Sequence, residues 1–107
     1  MIATSIRGRD AEARLGQALQ LAGHAAGLAV AVTDSRARAW ASATYVGTQV
    51  TLTLCAPRAA ALGRWLSDLP LAEVSMRGYL LASLALDRIE DDGTTIATTV
   101  TALVIED

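Results

Sequence analysis

Arg36-Ala-Arg-Ala-Trp-Ala-Ser-Ala-Thr-Tyr-Val-Gly-Thr-Gln-Val-Thr-Leu-Thr-Leu54 is the stretch on which the reading of this chain turns. Its last part alternates with period two. Val50, Leu52 and Leu54 fall on one side, Thr51 and Thr53 on the other, as in a strand with one buried face. Arg36, Arg38, Trp40 and Ser42 share one parity, so the whole stretch reads as extended, with Gly47 interrupting it as a bulge or tight bend. Further along, Leu80 to Ile89 and Thr94 to Ile105 flank Asp91-Asp92-Gly93, a strong hairpin signal. In the last strand Ile96, Thr98, Val100, Ala102 and Val104 share one face. Thr95, Thr99 and Thr101 lie on the other, a β-branched row suited to a sheet surface. Leu103 and Ile105 then place apolar side chains on that threonine face.

Two helices complete the pattern. Asp10 suits an N-cap, and Ala11, Leu15, Ala18, Leu19 and Ala22 follow at helical spacing. Gly23 is expected to end this helix with His24 in its last turn. Met1 to Arg9 reads as a flexible tail or a brief strand. Leu28 to Val32 reads as a strand, and Thr33-Asp34-Ser35 as a turn. Pro57 fits the first turn of a second helix, whose buried stripe is Leu62, Trp65, Leu66 and Leu69 and which Pro70 closes. Leu71 to Met76 is a short strand or an irregular lead-in. The fold class that follows is α+β: one domain over residues 1–107, an antiparallel β-sheet with two α-helices packed on one face. Two helices cover only one side of such a sheet, so the other must face water or a partner.

Composition narrows the function. A chain of 107 residues with 52% hydrophobic residues has the material for a core burying roughly 60–70% of its unfolded surface. The nine basic residues are all Arg, and the formal net charge is −2. That balance gives no electrostatic reason to expect nucleic acid. No apolar run approaches the roughly 20 residues that span a bilayer, and the start of the chain lacks the pattern of a signal peptide. A soluble protein made in the cytoplasm is expected, with no membrane partner. Cys55 is alone, which excludes an intrachain disulfide, and its place after Leu54 suggests a buried, inert thiol.

No residue set earns a catalytic assignment. His24 has no Cys or carboxylate at ligand spacing, Asp91 and Asp92 are better explained by turn chemistry, and Glu90, Asp91 and Asp92 lack the spacing of an ion loop. No metal, no cofactor and no enzymatic activity are expected. Trp40, with Arg36, Arg38 and Tyr45 around it, reads either as a Trp lying over the sheet edge with an Arg stacked on it or as an interface anchor, since Trp, Tyr and Arg dominate protein–protein hot spots; Arg77-Gly78-Tyr79 has the same two readings. Together with Thr99 and Thr101 of the final hairpin they form the candidate protein interface. Trp65 reads as core.

The segment from Asp34 to Leu54, with Leu69-Pro-Leu71, Leu80-Leu-Ala-Ser-Leu-Ala-Leu86 and Asp92-Gly-Thr-Thr, resembles phage tail-completion proteins, or tail terminators, especially those of gene transfer agents of alphaproteobacteria. In that family a Trp-bearing strand with small hydroxyl residues is followed by glycine and then by an alternating strand that leads into a helix. The resemblance covers roughly residues 10–107 and rests on strand patterns and turn residues. The chain is short for the family between its first helix and Trp40. It also lacks the aromatic and basic residues of the family's last strand.

What the resemblance implies is a structural protein that assembles as a homo-oligomeric ring, commonly a hexamer, on the end of a tail tube. Its partners would be further copies, tail-tube protein and head–tail connector proteins. It would be cytoplasmic during assembly and part of a phage-like particle, active or prophage-borne, afterwards. A ring needs two distinct heterologous patches. Arg36–Tyr45 and the threonine-rich hairpin are the expected pair. The alternative class is a small dimeric ligand-binding or regulatory α+β module.

Overall fold

The period-two segments form a four-stranded antiparallel sheet in the computed structural model, which describes residues 6–107. In chain order the elements are α1 (Ile6–Ala25), β1 (Ala31–Ala41), β2 (Val46–Pro57), α2 (Ala60–Asp68), a short 3-10 turn (Leu69–Leu71), β3 (Tyr79–Asp91) and β4 (Thr95–Glu106). The strands lie side by side as β1-β2-β4-β3. The alternation therefore serves the two central strands, β2 and β4. Val50 stands opposite Ala102 and Leu52 opposite Val100, and all four are buried together with Leu54, Ala56 and Val104. Both helices pack on that face: Leu15 and Leu19 from α1, and Leu62 and Leu66 from α2, join one hydrophobic cluster with it. The α+β architecture is the one expected from the sequence.

α1 is longer than its cap residues suggested. It includes Ile6 to Arg9, so those residues are neither tail nor strand; residues 1–5 of that expected tail lie outside the described residues. Asp10 sits inside the helix and does not cap it. Its carboxylate accepts hydrogen bonds from Arg14 Nε at 2.9 Å and from the Tyr79 hydroxyl at 2.7 Å, which ties the helix to the start of β3. Nor does Gly23 end the helix. It lies within it, against Val30, where a Cβ would sit 2.5 Å from a Val30 methyl. The true stop is Gly27, whose φ of +81° is open to glycine at little cost. The Leu28 N–H reaches the Gly23 carbonyl at 2.8 Å and the Gly27 N–H reaches that of His24 at 3.0 Å, the double bond pattern of a Schellman end.

Three expected features take other forms. Arg36–Leu54 is a hairpin and not one extended run. The chain reverses at Ser42–Tyr45, where the Ser42 N–H donates to the Tyr45 carbonyl at 2.8 Å and Ser42 Oγ accepts the Tyr45 N–H at 3.1 Å. Gly47 is then a paired member of β2, between Trp40 and Ile105. Thr33-Asp34-Ser35 is no turn: β1 runs through it, and the register shift between Val32 and Asp34 makes Thr33 the extra residue of a β-bulge. The Val32 N–H beside it donates to Gln20 Oε1 of α1 at 2.8 Å, so the helix covers part of that edge strand. Pro57 ends β2 opposite Thr95, and α2 begins three residues later without a side-chain cap. Its stripe of Leu62, Leu66 and Leu69 is buried as expected, with Trp65 packed against the cluster. Leu71 to Met76 is irregular after the 3-10 turn, closed by a single bridge between Met76 and Tyr79. No helix among the described residues is long and apolar enough to cross a membrane.

The β3–β4 turn follows the sequence signal. Asp91 accepts the Gly93 N–H at 2.8 Å and the Arg58 guanidinium at 3.0 Å, and Asp92 accepts the N–H groups of Thr95 and Thr94 at 2.7 and 2.8 Å. These donors favour the charged carboxylates and hold both pKa values below the usual aspartate range: Asp91 chiefly through Gly93 and then Arg58, Asp92 chiefly through Thr95 and then Thr94. A carboxylate depressed in the folded state contributes stability above its unfolded pKa and loses it as pH falls through the folded value. The turn's contribution should thus be constant near neutrality and fade below about pH 4. Carboxyl NMR titration should place both midpoints below those of the unfolded chain; midpoints at or above them would refute the assignment.

Candidate protein interface

Alternation that buries one side of the sheet turns the other side outward. No described element packs on that second side. In β1 it presents Arg36, Arg38 and Trp40, and register extends each into a row across all four strands. Arg36 lies beside Thr51, Thr101 and Ala85; Arg38 beside Gln49, Leu103 and Ser83; Trp40 beside Gly47, Ile105 and Leu80. One row further, Asp34 lies beside Thr53, Thr99 and Arg88. The expected patches, Arg36–Tyr45 and the threonine-rich hairpin, are therefore one continuous surface and not two separate ones.

The centre of that surface is a block of four half-buried threonines, Thr51 opposite Thr101 and Thr53 opposite Thr99. Such cross-strand pairs stabilise a sheet. Beside the block, Arg36, Arg38, Gln49 and Thr51 line a shallow depression of about 330 Å³, and Arg38 donates to Gln49 Oε1 at 2.5 Å. On the β3 side Asp87 accepts the Thr101 hydroxyl, and Arg88 pairs with Glu90 at 3.4 Å.

One end of the face is apolar. Ile105 is only 7% exposed although it points away from the helices. It leans over Gly47, its Cδ1 3.2 Å from where a glycine Cβ would be. Trp40 is half-buried on one flank, while Leu80 on the other and Tyr45 in the nearby turn are 59% and 58% exposed. Arg77 is exposed in the turn that leads into β3 at this same end. Tyr79 departs from the expected surface. It is 7% exposed, and its hydroxyl is engaged with Asp10, so it is an interior residue. Cys55 departs in the opposite direction. It has the parity of Thr51 and Thr53, is half-exposed, and lies 3.4 Å from the Thr33 hydroxyl; it is not the buried thiol its apolar strand suggested.

Leu80, Asp87 and Arg88 were not singled out from the sequence, and the reason lies in β3. Register shifts between Leu81 and Ser83 and between Leu86 and Arg88 insert two bulges. Simple alternation would put Leu80, Leu84 and Leu86 on one face. The bulges instead turn Leu80 outward and leave Leu81, Leu84 and Leu86 toward the core. The available signal was the apolar pair Leu103 and Ile105, whose strand partners are Ser83 and Leu80. Among the described residues no group of three or more His, Cys, Asp or Glu side chains is placed to hold a metal. Comparison with protein-family models, curated proteins and solved structures returns no match.

Proposed function

We propose that this chain is a structural assembly protein of the tail-terminator kind, which self-associates into a ring that caps a tail tube and offers a docking surface for the head. The observation that supports this reading most directly is the uncovered sheet face, with an aromatic and apolar end next to arginines and a half-buried threonine centre. Trp, Tyr and Arg are the residue types from which protein interfaces draw most of their affinity. Because that face is one surface, a ring would need a second contact region; the outer edge of β3, an end strand of the sheet, is the proposed place for it. Tail-tube protein and head–tail connector proteins are the proposed partners, met in the cytoplasm during assembly.

Native mass spectrometry over a concentration series tests this. A closed ring, with six copies the expected number, supports the reading. A chain that stays monomeric and also fails to bind assembled tail tubes overturns it.

A second reading, a dimeric ligand-binding or regulatory module, is favoured by the groove of about 400 Å³ between α1 and β1, lined in part by Arg9, Glu12, Gln17, Gln20 and Ser35. Three of its polar side chains are already engaged, Ser35 with Glu12 and Gln20 with the Val32 N–H. Thermal stabilisation by a metabolite, in a lone dimer, is the result that would favour it.

A further inference from the structure

We infer that the open sheet face pairs with the same face of a second copy, about a two-fold axis parallel to the strands, to make an eight-stranded sandwich. The inference rests on the charges of that face and on neither functional reading.

The two outer strands carry opposite sequences of charge. Descending β1 from its bulge, the outward residues are Asp34, Arg36, Arg38 and Trp40. In the same rows on β3 stand Arg88, Ala85, Ser83 and Leu80. Asp87, displaced outward by its bulge, reaches Thr101 in the Arg36 row. Rotation about an axis parallel to the strands keeps each residue at its height and places β1 of one copy over β3 of the other. Asp34 then faces Arg88 of the second copy, Arg36 faces its Asp87, and Trp40 faces its Leu80. Each contact occurs twice, as an isologous interface requires.

The competing two-fold axis, across the strands, lays β1 over β1 and brings arginine against arginine, which is destabilising. Size agrees with pairing. Four strands about 4.8 Å apart, with about 11 residues of roughly 3.3 Å each, present roughly 700 Å² per copy, near the ~800 Å² per partner of a standard specific interface. The threonine block and Ile105 would occupy the middle layer, with strand directions within about 30° as in aligned sheet packing.

A charge swap tests this directly. Within one chain Arg36 and Asp87 are three strand spacings apart, roughly 14 Å, too far for direct contact, so rescue in a double variant reads contact between copies. Arg36→Asp and Asp87→Arg should each weaken the pair at least about tenfold in sedimentation analysis, and the double variant should recover to within about threefold of the parent. The Asp34→Arg and Arg88→Asp set should behave alike, which covers the chance that losing the Asp87–Thr101 bond disturbs folding. Arg64→Glu on the exposed side of α2 should leave the mass unchanged. A monomeric parent, or single variants that do not weaken the pair, or a double variant as weak as the singles, would overturn the proposed pairing. A closed hexamer insensitive to both swaps would also overturn it while leaving the ring reading intact.

Discussion

Leu15→Ala is expected to lower the stability of the fold by about 3 kcal/mol, within the range measured for leucine deletions in well-packed cores. Leu15 is fully buried, one turn from Ala11 and one from Leu19, which are 1% and 0% exposed. These three residues are the line along which α1 meets the sheet. Little around the site can relax into the space a shortened side chain would leave, since the helix already approaches β1 closely through Gly16, whose Cβ position lies 3.4 Å from a Val32 methyl. For a domain of this size the loss corresponds to a fall in Tm of roughly 15 °C, to be read from thermal melts followed by circular dichroism. Leu21→Ala, on the same helix at 59% exposure, should stay within about 0.5 kcal/mol of the parent. If the two variants melted alike, the docking of α1 described above would be wrong.

The contrast between those leucines was readable in the sequence, because helical spacing separates Leu15 and Leu19 from Leu21. So was most of the sheet. Val50, Leu52 and Leu54 alternate without interruption, and Asp91-Asp92-Gly93 has the side-chain acceptors and the glycine that a tight turn uses. What could not be read was where small polar residues change the path of the chain. Thr33-Asp34-Ser35 has turn composition, yet a bulge needs the same tolerance of irregular backbone, and only the partner strand decides between them. The reverse holds at Ser42–Tyr45. That turn contains no Gly, Pro or Asn and is closed by a serine hydroxyl that accepts a nearby N–H, a device that leaves almost no mark in composition. Pro57 fits either a helix start or the end of a strand, and the register with Thr95 selects the second.

The candidate surface was legible in part for the same reason. Parity along β1 and β4 put Arg36, Arg38, Trp40, Thr99 and Thr101 on outward positions without knowledge of strand order. That they share one face follows from β2 lying between β1 and β4, and strand order is not encoded in any local pattern. Tyr79 was misplaced because its neighbours Arg77 and Gly78 mark an exposed turn, while its hydrogen bond to Asp10 joins residues 69 positions apart. A contact of that range has no signature in the segment itself.

Gly47→Ala joins these two themes and should cost about 2 kcal/mol, the expected penalty for forcing an extra carbon into a packed site. The new Cβ would lie 2.4 Å from the Val104 carbonyl oxygen and 3.3 Å from the Ile105 Cα. Both belong to the β4 backbone and cannot rotate out of the way as a side chain would, so β2 and β4 must part or twist where they pair. The roughly 0.5–1 kcal/mol that alanine gains over glycine in backbone entropy does not offset that. Gly63→Ala in α2 is the matched control, because nothing lies within 4 Å of its Cβ position; it should be neutral or slightly stabilising. Gly47→Ala should also displace the Ile105 side chain that now leans over the glycine, disturbing the Trp40–Ile105–Leu80 row. Self-association measured well below the melting temperature should therefore weaken in Gly47→Ala and not in Gly63→Ala. Stability lost with association unchanged would mean that the apolar end of the face serves the fold alone, and the site of any partner would then have to be sought at the sheet edges.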